Sequence, residues 1–192
     1  MNTNIIKIFT ACLLFALANL VFADAIDDAT DSDIADLCSN SPANELYKIA
    51  NKKQNSQQDR RNALMRMVEV SRECAGSSSQ RLTQYHQKII TAGHKLLSES
   101  EVETRRAAID CFQYVILQPA NVQPSQGSIN RGQSISNLAL TDSDTHVRLW
   151  ALEALVTLRG DDALVQSTLQ SAATDSEAII QQTANEMYAE LF

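Results

Sequence analysis

Leu138-Ala139-Leu140-Thr141-Asp142-Ser143-Asp144-Thr145-His146-Val147-Arg148-Leu149-Trp150-Ala151 is an apolar run, an acidic turn and the start of a second apolar run, and the arrangement returns along the chain. Arg148-Leu149-Trp150-Ala151 with Ala154-Leu155 is matched 43 residues earlier by Arg105-Arg106-Ala107-Ala108 with Cys111-Phe112. It is matched 33 residues later by Gln181-Gln182-Thr183-Ala184 with Met187-Tyr188. A fainter copy, Arg61-Asn62-Ala63-Leu64 with Met67-Val68, lies 44 residues before Arg105. Polar or acidic turns precede the stronger copies: Ser98–Glu101, Thr141–Asp144 and Thr174–Glu177. Self-similarity at such periods marks stacked helical units, none of which buries its apolar face alone.

Helical periodicity extends outward from that stretch. Ser41-Pro42 places a cap before a proline at the first helical position and predicts a helix to about residue 53. Ser56 opens another to about Cys74. Ser77 with Gln80 and Ser100 with Glu103 fit capping boxes for two more, reaching Leu96 and Val115. Pro119, Pro124, Gly127 and Gly132 mark a loop over 118–131, read either as a binding loop or as a floppy insertion. Four shorter helices follow over about 133–141, 145–159, 162–173 and 177–191. No segment alternates as a half-buried strand would, and three prolines and five glycines suit helices. In helix 145–159, Val147, Ala151, Ala154, Leu155 and Leu158 make one apolar stripe, and Leu149, Leu152 and Val156 a second. Such a helix needs neighbours on two sides. The last helix has one principal stripe, Ile180, Ala184, Met187, Tyr188 and Leu191, as a terminal capping unit should.

The Leu138–Ala151 pattern resembles the short type of HEAT repeat described in bilin-lyase-like proteins: a leucine-rich helix, an aspartate-bearing turn, then Val-Arg, two free positions and Ala. Residues 96–192 carry the resemblance specifically, with Thr104 in place of the valine and Gln181 in place of the last arginine; residues 42–95 carry it loosely. It implies an all-α, short α-solenoid of about four HEAT-like helix pairs over 41–192. In such families the arginines tie neighbouring repeats together, which here implies that role for Arg105 and Arg148, each four residues after an acid, Glu101 and Asp144. The second helices line the concave face in HEAT repeats. The exposed side of those helices is then a candidate protein-binding strip, carrying Arg66, Arg106, Asp110, Tyr114, Trp150, Glu153 and Glu186 and running from basic to acidic. Aromatics and arginine are favoured at interfaces.

The start of the chain bears on compartment. One lysine precedes an apolar run from Ile8 to Phe22, and Val21-Phe22-Ala23 sets small residues ahead of a cut, so residues 1–23 read as a cleaved signal peptide. The run is shorter than the roughly 20 residues that span a bilayer. Cleavage loses Lys7 and takes the net charge from −7 to −8. That balance disfavours nucleic acid and anionic membrane surfaces as partners, and no stable membrane insertion is expected after cleavage. Residues 24–40 form an acidic lead segment with six aspartates, read as solvated. An exported protein, periplasmic or secreted, with Cys38, Cys74 and Cys111 remaining, has room for one disulfide. In an antiparallel hairpin of the first two helices, the second overshoots the start of the first by roughly 10 Å. The residues before Pro42 cover a similar distance, so Cys38 and Cys74 are expected to pair. Cys111 falls at a core position.

No motif for a nucleophile elbow, a zinc-binding His-Glu pair or a phosphate loop is present, and no cofactor or metal is expected. The histidines read as surface residues. The expected function is a monomeric, non-enzymatic, exported scaffold or adaptor that binds another protein. The alternatives are a secreted effector acting on a host or competitor, and an enzyme accessory or lyase-like protein.

Overall fold

The computed structural model describes residues 40–192 apart from 76, 77, 130 and 161, and for 40–42 and 128 only the backbone. The expected signal peptide, the acidic lead and Cys38 lie outside the described residues. Nine α-helices and one 3₁₀ turn are described, with no strand among them. They are α1 (Asn40–Asn51), α2 (Gln57–Glu73), α3 (Ser79–Leu96), α4 (Val102–Ile116), the 3₁₀ turn Ala120–Val122, α5 (Gln126–Ile129), α6 (Gly132–Thr141), α7 (Thr145–Arg159), α8 (Ala163–Ala172) and α9 (Ala178–Leu191).

The long helices pack as four antiparallel pairs: α1 with α2, α3 with α4, α6 with α7, and α8 with α9. The second helix of each pair packs on the second helix of the next, so α2, α4, α7 and α9 make one continuous layer. The chain is an all-α solenoid of four helix pairs. Its main core runs through every pair, from Ala50 and Leu64 through Ile109, Phe112, Ile135, Leu152 and Leu155 to Leu169, Ile180 and Ala184.

Capping places each second helix. Ser56 begins α2 with its hydroxyl accepting from Asp59 N at 3.0 Å, and Asp144 begins α7 by accepting from Val147 N at 3.0 Å. Such caps satisfy backbone donors that a helix N-terminus leaves open. Ser77, on which the expected capping box of α3 rests, lies outside the described residues, and the N-cap of α3 is Ser78, without a side-chain cap bond. The expected box of α4 is displaced, its N-cap being Glu101, also without a side-chain cap bond. Ser100 is drawn into the stack instead, its hydroxyl accepting from Gln57 Nε2 at 2.8 Å, while Gln57 Oε1 accepts from Glu101 N at 3.1 Å.

The N-caps Ser56, Glu101, Asp144 and Glu177 fix the repeat register. Each lies four residues before the position held in turn by Arg60, Arg105, Arg148 and Gln181. The first copy is therefore one residue off the expected alignment: Arg60, buried, occupies the arginine place, and Arg61 does not.

Loop 118–131 is partly packed onto the fold. Val122 and Ile129 are buried, and Gln123 Nε2 donates to Ile116 O and Gln118 O, both at 2.8 Å. It forms a wedge beside α3, whose main neighbours on that side are the 3₁₀ turn and α5. His94 on α3 reaches α6 through Ser134 at 3.2 Å. The first-helix layer is thus interrupted where the second-helix layer is continuous.

Candidate protein-binding surface

The arginines at the repeated place do tie the pairs together, through Asp142 and Asp175. Arg105 grips Asp142 in the next turn with two bonds, Nε to Oδ2 at 2.7 Å and Nη2 to Oδ1 at 2.9 Å. Its Nη1 donates back to Glu99 O and Ser100 O in its own turn. Arg148 repeats this one pair later, reaching Asp175 at 3.1 Å and Asp142 O at 2.8 Å. Arg60 makes the first rung, to Glu99 and Ala50 O. Asp142 and Asp175 also accept the backbone N–H two residues on, so each acid shapes its turn and receives the preceding arginine. Gln181 keeps the backward bond to Asp175 O and, lacking a guanidinium, has no forward reach. The ladder of arginines stops at Gln181.

Glu101 and Asp144 also tie neighbouring pairs together, Glu101 through its N–H to Gln57 Oε1 and Asp144 through Arg106 rather than Arg148. Glu101 accepts from Thr104 Oγ1 at 3.1 Å. Asp144 caps α7 and pairs with Arg106, whose guanidinium holds the Asp144 carboxyl below its ordinary range. The reason is geometric: an arginine pointing along the stack is one turn too far forward to meet an acid at its own helix's N-cap.

The corrected register aligns the strip. Met65, Asp110, Glu153 and Glu186 stand five residues after the arginine place in successive second helices, a row ending in three acids. Arg66 falls instead at the place of Cys111 and Ala154, and forms salt bridges with Glu69 at 2.9 Å and Glu73 at 3.9 Å. Arg106 is likewise neutralised by Asp144, so the basic end expected of the strip is internally paired.

The middle of the strip comes together at the seam of α4 and α7. Asp110 Oδ1 lies 3.5 Å from His146 Nε2, and the His146 ring stacks on Trp150 with centroids 4.5 Å apart. Gln113 Nε2 donates to Trp150 O at 3.1 Å and to Glu153 Oε2 at 3.3 Å. Burial pushes the Asp110 and Glu153 carboxyls up, partly opposed at Asp110 by His146 and at Glu153 by Gln113. Neither carboxylate forms a salt bridge with a lysine or arginine among the described residues, and Trp150 is half-buried. The seam offers acceptors and an aromatic face together. His146 and Gln113 belong to it and were not legible as site residues. Glu186 lies apart on α9, beside Gln182.

Tyr114 belongs to the fold. Arg72 lies over its ring at 5.0 Å, its hydroxyl meets Ser71 Oγ at 3.2 Å, and its ring stands edge-on to His86. His86 is no surface residue: it is 1% exposed. Its Nδ1 donates to Val122 O at 2.7 Å, so neutral Nε2 accepts from the Ser71 hydroxyl, also at 2.7 Å. Desolvation lowers its pKa. The Ser71–His86 pair has the spacing of an activated nucleophile, but Ser71 is 1% exposed, and the pair moors the wedge.

Cys111 is free and buried, and desolvation pushes its thiol up, which suits the core place expected of it. Cys74 closes α2 in a second cluster with Ala43, Val70, Leu82, Tyr85 and Val122. Among the described residues no helix is long and apolar enough to cross a membrane, and no group of acids, histidines and cysteines has metal-binding geometry.

No family model matches the chain, and no curated protein matches it. Among solved structures it is similar to the crystal structure of an engineered protein, with a TM-score of 0.48 and 12% identity over 84% of this chain and 92% of that one. It is also similar to the TOG domain of CEP104, with a TM-score of 0.40 and 13% identity over 82% of this chain and 83% of the other. At these values neither similarity bears on family or function.

Proposed function

We propose that the protein is an exported, non-enzymatic scaffold whose second-helix layer holds another protein. The observation that carries this reading is the α4–α7 seam. There two half-buried carboxylates, Asp110 and Glu153, lie beside Trp150 without a lysine or arginine partner of their own. Half-buried carboxylates whose only side-chain partners are His146 and Gln113 are incompletely compensated, and a basic or hydrogen-bond-donating side chain supplied by a partner would offset that cost. An aromatic ring beside the acceptors suits the same side chain.

The repeat belongs, on this reading, to the short HEAT type. Export rests on the apolar run of residues 8–22 and the cut after Ala23, and the Cys38–Cys74 bridge on an oxidising compartment together with the buried, partnered state of Cys74. Crosslinking in the native cell, followed by mass spectrometry, tests the function. The expected result is a partner captured by the wild type and lost from both Trp150→Phe and Glu153→Lys while their thermal unfolding stays near wild type. Capture unaffected by both substitutions contradicts the seam. A free-thiol count of three in the unreduced mature protein contradicts the bridge.

A further inference from the structure

Histidine ordinarily changes charge between about pH 5 and 8, and the α4–α7 seam contains one. His146 Nε2 lies 3.5 Å from Asp110 Oδ1, an oxygen that is buried and has no hydrogen-bond partner among the described residues. The His146 ring also covers Trp150, with centroids 4.5 Å apart and planes inclined by 28°. The histidine therefore touches both things the seam offers a partner, the acceptor and the aromatic face.

The charged groups of the surrounding elements leave that position to acids. From α4 come Asp110 and Glu103, with Arg105 gripped by Asp142 and Arg106 by Asp144. From the α6–α7 turn comes Asp144, whose carboxyl is held down first by Arg106 and further by His146. On α7 itself Glu153 feels His146 as well, against the larger upward push of burial. Arg148 and Arg159 of α7 are committed to Asp175 and Asp162. Helices α6 and α8 carry no charged side chain, and α9 with its cap carries only Glu177, Glu186 and Glu190.

We infer that His146 is an internal competitor for the seam. Neutral, it leaves Asp110 and Glu153 to a lysine or arginine side chain of the partner; protonated, it takes Asp110 and the Trp150 face itself, and the partner is released on acidification. This rests on the seam being the binding surface. The imidazolium is already in place for both contacts, an ion pair with Asp110 and a cation–π contact with Trp150, so no rearrangement is needed. A second cation then meets a like charge where it would have met an unpaired acceptor. The coupling is reciprocal: a bound cation must make His146 harder to protonate by the factor by which the proton weakens the cation. Affinity is therefore full while the free protein's histidine is neutral and falls as pH drops.

Trp150 is the only tryptophan in the sequence, so tryptophan fluorescence reads this seam alone. An imidazolium stacked on an indole quenches it, so wild-type emission should fall between about pH 8 and 5, and that of H146Q should not. Tetra-arginine amide is the probe for the partner's cation. The wild type should bind it at about pH 7.5 and about tenfold or more weakly at about pH 5.5, whereas H146Q should lose no more than about twofold. That remainder belongs to Asp110 and Glu153, whose carboxyls burial pushes up and which discharge alike in both proteins. Saturating peptide should move the wild-type quenching midpoint down by about one pH unit, the same tenfold read from the other side. Equal losses of affinity in wild type and H146Q overturn the inference and leave the seam standing as a binding surface. So does a quenching midpoint that bound peptide leaves in place, a result that needs no variant. A wild type that does not bind at about pH 7.5, or a Glu153→Lys variant that binds as the wild type does, overturns the seam itself and the inference with it.

Discussion

The two layers of the solenoid are built by different means. In the second-helix layer one device recurs: an arginine four residues into each helix staples its own turn and reaches the next, until Gln181 stops it. In the first-helix layer the regular contact gives way after α3 to a wedge moored by a single buried histidine. The layer that repeats can be extended or shortened by whole pairs. The layer that does not repeat is held by particular contacts, among them a buried bond between residues 36 apart and the Gln123 bonds to Ile116 O and Gln118 O. The candidate binding seam is in the repeated layer, where positions equivalent in sequence become neighbours in space.

The largest expected effect breaks the ladder. Arg105→Ala strands Asp142, whose side chain is only 3% exposed, and should cost about 3–5 kcal/mol. Gln181→Ala, at the same place in the last pair, should cost no more than about 1.5 kcal/mol. Urea midpoints measure both, and equal losses at the two sites would deny the ladder its role. His86→Leu comes next, taking the donor from Val122 O and leaving Ser71 only the Tyr114 hydroxyl, at a cost of about 1–3 kcal/mol. Hydrogen exchange should quicken over residues 118–129 before it quickens in α7.

His86 also predicts a pH dependence. Its folded pKa is below the unfolded value, so the unfolded chain binds more protons in the window between them. Stability is full above about pH 6.5 and falls as pH drops through that window, and His86→Leu should remove this slope. Arg106→Ala is a smaller change, about 1 kcal/mol or less, because the Arg106 side chain is 44% exposed. Asp110→Asn should change stability least at low pH. Burial raises the Asp110 pKa, so the wild type loses stability as pH rises from about 3.9 through the folded value, and the amide should flatten that segment of the curve. A steeper curve in the variant would mean that His146 outweighs desolvation at this carboxyl.

Sequence carried the second-helix layer well because its signals are local. An acidic turn, an arginine and apolar residues at helical spacing all lie within one stretch, and α7 runs over the expected 145–159. The first repeat slipped by one residue because Arg60 and Arg61 are adjacent and nothing local says which points inward; burial against Ala50 and Glu99 decides it. That slip placed Arg66 in a strip whose equivalent residue is Met65. The acid that receives Arg105 was not legible for the same kind of reason: Asp142 lies 37 residues from Arg105 and is met only through stacking. The wedge has no period at all, and His86, read alone on its helix, does not announce Val122. Of the strip, Asp110, Trp150 and Glu153 come together, and Tyr114 proves to be packing.

Site-specific photo-crosslinking on both layers in the living cell tests the account most directly. A photoreactive residue replacing Thr157, exposed on α7 one turn beyond Glu153, should give a discrete adduct with one protein, abolished by Glu153→Lys. The same residue replacing Gln87, exposed on α3 in the other layer, should give none. An adduct from α3 with silence from α7 would contradict a binding surface in the repeated layer.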